Sequence, residues 1–68
     1  MSLEYIRNYY GVPANEGQRV RYSGGFEPID GTIIRSDSAR LIVKFDGKKR
    51  PVSLHPTWQI EYLGDPNG

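Results

Sequence analysis

Six basic side chains fall between residues 35 and 50: Arg35, Arg40, Lys44, Lys48, Lys49 and Arg50. Lysine and arginine contact phosphate without reading base sequence, so this cluster could hold a nucleic-acid backbone. Residues 1–34 net −1 and residues 51–68 net −2, so the cluster's segment carries +4 on a chain whose total is +1. That total is far from the basic balance of a dedicated nucleic-acid binder. A solvated hairpin, whose charges keep a sheet edge from pairing with other chains, is the preferred reading. Weak, sequence-independent nucleic-acid binding through this hairpin is the alternative.

The remaining chemistry is sparse. There is no cysteine and one histidine, His55, which excludes disulfides, thiolate zinc sites and histidine-based metal clusters. No metal or cofactor is therefore expected. Asp30, Asp37 and Asp46 sit at turn positions and lack metal-ligand spacing. "SGGFEP" is glycine-rich, but no lysine and hydroxyl residue follow at phosphate-loop spacing and no helix begins there. His55 has no acidic neighbour in sequence to orient it as a base, so an enzyme is not expected. Trp58 could line a ligand groove with His55. Tryptophan mainly supplies buried area, so Trp58 is expected to plug the end of the core. Tyr5, Tyr9 and Tyr10 are expected to dock an N-terminal helix, and any tyrosine edge left exposed would suit a protein partner.

These residues need a scaffold, and 68 residues allow one small domain. Such a domain buries only about 60% of its unfolded surface. No apolar run approaches the ~20 residues of a membrane span. "MSLEYIRNYY" lacks the basic start and apolar stretch of a signal peptide. With cysteine absent, these features lead to the expectation of a cytoplasmic protein with no membrane partner.

Ser2 to Tyr10 reads as a short helix, with Ser2 as N-cap, Glu4 in the first turn and Leu3, Ile6 and Tyr10 at helical spacing. Gly11 and Pro13 end it. Nine residues do not hold a helix alone in water, so this one must dock. From Gly17 the apolar period becomes two. "QRVRYS", "DGTIIR", "ARLIVKF", "PVSL" and "QIEYL" read as five strands, and "HPTW" as a single helical turn before the last. "GDPNG", residues 64–68, reads as a disordered polar tail.

The third and fourth strands could pair in two registers. A two-residue turn at Asp46-Gly47 sets Val43 against Arg50. A four-residue loop, Asp46 to Lys49, sets Phe45 against Arg50, Val43 against Val52 and Leu41 against Leu54. The second stacks more apolar pairs and is preferred. Val20, Leu41, Val43, Val52, Leu54, Trp58 and Ile60 form the expected core. Ile33 and Ile34 are adjacent, and Ile42 opposes the Leu41/Val43/Phe45 face, so apolar residues remain on the outer side of these strands. The helix is expected there or at an open barrel end.

This order of elements over residues 17–63 resembles the SH3-like barrel. "HPTW" stands where such barrels place a 3₁₀ turn, and "GQRVRYSGG…DGTIIR" looks like the opening strands of KOW and Tudor-type barrels. The resemblance implies a mainly β domain: a five-stranded antiparallel barrel with one short N-terminal helix. An "ALYDY"-like strand and adjacent tryptophans, which a polyproline-binding SH3 domain would carry, are absent. A Tudor-type cage needs several aromatics around a cation, and Tyr22, Phe26, Phe45, Trp58 and Tyr62 are the residues available. The chain, "SLEYIRNYYGVPA" included, also resembles small proteins encoded by bacteriophages and prophages. That resemblance implies a stand-alone accessory rather than part of an enzyme. The expected function is a non-enzymatic protein-interaction or assembly module.

Overall fold

The computed structural model describes residues 2–64. The tail expected at 64–68 lies, apart from Gly64, outside the described residues. The first element is helix α1, Leu3–Tyr10. Ser2 caps it, its hydroxyl accepting from the Tyr5 N–H at 3.2 Å. Gly11 ends it in the left-handed region (φ 67°), and its N–H donates to the Arg7 carbonyl at 2.9 Å. A side chain at Gly11 would strain that backbone, which is why the helix stops there.

Five strands follow: β1 Arg19–Tyr22, β2 Ile29–Asp37, β3 Arg40–Phe45, β4 Val52–Leu54 and β5 Ile60–Tyr62. All neighbouring pairs are antiparallel, in one sheet ordered β4-β3-β2-β1-β5. The sheet does not close, so β4 and β5 are its edges, each three residues long. Short edges limit pairing with other chains. β3 and β4 adopt the preferred register, with Leu41 opposite Leu54 and Val43 opposite Val52. The Asp46-Gly47 pair still makes a tight turn: Lys48 N–H donates to the Phe45 carbonyl at 3.1 Å, with Gly47 at φ 80°. It is the first part of a longer loop, not the whole connection.

β2 runs longer than "DGTIIR" suggests, reaching Asp37, and turns into β3 through Ser38 and Ala39 alone. Ile34 is an extra residue in this strand: Ile33 pairs with Val43, and the next pair is Arg35 with Ile42. The bulge matters for charge. Strict alternation would turn Arg35 inward with Ile33. The bulge shifts the parity, so Arg35 joins Ile42 on the outer face, beside Arg40 and Lys44.

The core comprises Val20, Ile33, Leu41, Val43, Phe45 and Leu54 from the sheet, with Ile6 and Ala14 from the N-terminal segment. Ile6 is fully buried, and Leu3, Tyr10 and Val12 pack beside it. The helix therefore covers the inner face. It does not sit on the outer side of β2 and β3, because Ile6 packs with Ile33, Leu41 and Val43, while Ile42, on the outer face and also buried, lies outside this cluster.

Val52 and Ile60, on the two edge strands, are partly buried and pack against the core cluster as expected. One expected core residue is corrected. Trp58 is 55% exposed. The side chain filling the interior at this corner is Pro56, whose carbonyl accepts from the Tyr62 hydroxyl at 2.7 Å. "HPTW" is a turn without a helical turn: the His55 Nδ1 accepts the Thr57 N–H at 3.1 Å, and Gln59 enters the left-handed region at φ 54°. The chain thus reverses into β5 with Trp58 on the outside.

Candidate functional site

The aromatics at one end of the sheet converge. Tyr22 ends β1 and Phe45 ends β3, and their rings stack at 5.9 Å and 28°. Trp58, from the β4–β5 turn, lies 6.2 Å from Tyr22 at 50°. The β1–β2 loop lies alongside. Gly24 sits so close to the Tyr22 and Trp58 rings that a Cβ there would fall 2.7 Å from Trp58 Cζ3. Only glycine lets this backbone lie flat on both rings. Two residues on, Phe26 projects fully into solvent.

The β1–β2 loop and the ends of β1 and β3 border an open groove of about 490 Å³, lined by Tyr22, Phe26, Pro28, Ile29 and Phe45 with the oppositely charged Glu27 and Lys48. Its walls are mostly apolar with few polar groups. The fully exposed Phe26 ring belongs to neither the core cluster nor the side chains packed against it. Tyr62 stands apart, its hydroxyl tied to Pro56, and burial pushes that hydroxyl up to about 12. Of the five aromatics available for a cage, three line the groove, Tyr22, Phe26 and Phe45, and Trp58 lies beside Tyr22 outside that lining.

The basic residues divide between the outer face and the loop next to this groove. Arg35, Arg40 and Lys44 lie on the outer face of β2 and β3. Arg40 Nε donates to the Ser53 hydroxyl at 2.7 Å, and Lys44 Nζ to the Lys48 carbonyl at 2.8 Å, which ties the loop back onto β3. Lys48, Lys49 and Arg50 are exposed along the loop. Two ion pairs shape the surrounding charge. Arg19 holds Asp46 with a bond at 2.9 Å and also donates to Thr32 at 2.8 Å, and Arg21 holds Asp30 at 2.8 Å. The hydrogen bonds from Arg19 and Arg21 hold the Asp46 and Asp30 carboxyls below the usual carboxylate range. Two of the acids flanking the basic loop are thereby neutralised by partners of their own.

The helix tyrosines separate into two roles. Tyr10 packs on the core and meets His55 edge-on at 5.5 Å. Tyr5 and Tyr9 do not dock. They stack on each other at 5.6 Å, 39% and 67% exposed, because their four-residue spacing places them together on the solvent side. Among the described residues no three of histidine, cysteine, aspartate and glutamate are grouped to hold a metal ion. No helix among them is long and apolar enough to cross a membrane.

Sequence reasoning named Phe26 only as one of five candidate cage aromatics, gave Gly24 no role, and misplaced Trp58. The missed signal was available: an aromatic inside a glycine- and proline-rich loop has no strand to bury it. No protein-family model, curated protein or solved structure matches this chain.

Proposed function

We propose that the chain is a small non-enzymatic binding module, an open SH3-like barrel that takes its partner in the aromatic groove at the loop end of the sheet. The strand order and the bend introduced at Ile34 support the barrel reading. The fully exposed Phe26 beside Tyr22 and Phe45 carries the binding reading. Exposed aromatic surface costs hydration free energy in the unbound protein and is recovered only when something covers it. The lining offers planar faces and two opposite charges, a chemistry of recognition.

A second reading rests on α1. The exposed Tyr5–Tyr9 stack, continued by Tyr10, suits a protein partner and an assembly role. Both readings fit a stand-alone accessory of the phage or prophage kind, working in a reducing cytoplasm. An amide-shift screen with small planar probes (indole, adenosine, N-acetylproline amide) separates them. Shifts gathered at Tyr22, Phe26, Ile29, Phe45, Lys48 and the Trp58 indole are expected. Shifts confined to residues 3–10 would move the site to the helix, and no shifts at millimolar probe would remove the groove from consideration.

A further inference from the structure

We infer that the groove and the loop beside it form a single-stranded nucleic-acid site, in which unpaired bases stack on Phe26 and Trp58 while Lys48, Lys49 and Arg50 hold the phosphates. The inference rests on the groove being the binding surface and names the kind of chain that fills it. The rings come first. Phe26 is fully exposed and Trp58 more than half exposed, so both offer area to a ligand. A base stacks on such a ring whatever its identity.

The cations are placed to match. Lys48 lines the groove, and Lys49 and Arg50 continue the same exposed loop. Among the described residues no carboxylate pairs with any of the three, whereas Asp46, at the head of the loop, is already held by Arg19. The loop therefore presents Lys48 at the groove and two further exposed cations directly after it in the chain, with Glu27 as the opposing acid in the lining. A duplex keeps its base faces stacked inside, so only an unpaired strand can use the rings and the cations together.

Glu27 separates this ligand from a peptide. A cationic or proline-rich peptide would gain from Glu27, while a phosphate chain is repelled by it.

The test uses the whole chain and a mixed-sequence oligonucleotide of about 12 nucleotides, single-stranded and as duplex, read by amide shifts and by fluorescence of Trp58, the sole tryptophan. The single strand is expected to quench Trp58 and to shift residues 22–29 and 45–50, with the duplex at least about tenfold weaker. Three phosphate contacts give a log–log salt slope near −2 on a single strand. Phe26→Ala should weaken binding roughly 5- to 150-fold. Replacing Lys48, Lys49 and Arg50 with glutamine should flatten the slope, and Glu27→Gln should tighten binding. Equal affinity for the duplex, indifference to Phe26→Ala, or no response at low salt would each overturn the inference. A peptide that shifts the groove amides and weakens on Glu27→Gln, where the oligonucleotide does nothing, would also overturn it while leaving the groove as the binding surface.

Discussion

Gly31 is the position where the smallest change should do the most damage. It lies in β2 between Val20 of β1 and Phe45 of β3. A methyl group added there would stand 2.7 Å from Val43 Cγ1, 2.8 Å from the Lys44 carbonyl oxygen and 2.8 Å from Phe45 Cδ1. Comfortable contact needs about 3.5 Å, so three neighbours must each retreat by roughly 0.7 Å. Val43 and Phe45 are core side chains, and the Lys44 carbonyl is backbone in a strand paired to β2, so none can yield alone. Overpacking of this kind costs about 1–3 kcal/mol. A chain of this length has about 3–10 kcal/mol in total, and each kcal/mol shifts the melting temperature by about 4–8 °C. Gly31→Ala should therefore melt roughly 5–20 °C below the parent, followed by circular dichroism and urea titration. Gly25→Ala is the comparison, since a Cβ there meets only Tyr22 Cε2, at 4.0 Å. It should melt with the parent or slightly above it. If Gly31→Ala also melts with the parent, the packing of β2 between β1 and β3 is wrong.

Trp58→Ala should cost at most about 2 kcal/mol in urea titration, because the ring is half in water, against about 2–5 kcal/mol for Ile33→Ala in the core. A Trp58 variant that unfolds would return the ring to the interior. Tyr62 titrates at about 12 when folded, above the ordinary ~10, so its contribution is full below pH 10 and is lost as pH rises from 10 to 12. Tyr62→Phe should remove that part of the stability decline, and an unchanged pH profile would show that the hydroxyl is not buried against Pro56. The Asp30 and Asp46 carboxyls lie below their ordinary range, so their small contribution is present above pH ~4 and fades as pH falls further. Asp30→Asn with Asp46→Asn should flatten only that acid limb of a stability–pH curve. A flattening at neutral pH instead would contradict the assignment.

What the sequence disclosed depended on how local the deciding physics was. The helix was legible because Ser2, Gly11 and Pro13 mark its ends and Ile6 its buried side. The β3–β4 register was legible because it maximised apolar cross-strand pairs. The bulge at Ile34 was not, since nothing local distinguishes two adjacent isoleucines in a flat strand from two at a bend. That one residue decides which way Arg35 points. Trp58 was misplaced because hydrophobicity suggested burial, while the turn geometry gave the interior to Pro56. The groove was only half visible. Its aromatics could be named from sequence, but Tyr22 and Phe26 lie in one segment, Phe45 in a second and the neighbouring Trp58 in a third, and only the sheet order brings them together.

The Trp58 indole N–H signal, titrated with adenosine in the parent and in Phe26→Ala, is the most direct test of the groove. Phe26 is fully exposed, so removing its ring leaves the fold intact and any loss of response is a loss of binding. A groove that binds planar ligands should give a saturable shift in the parent and a much smaller one in the variant, with the rest of the spectrum unchanged. A signal that ignores adenosine, or that responds equally without Phe26, would contradict a binding site at this end of the sheet.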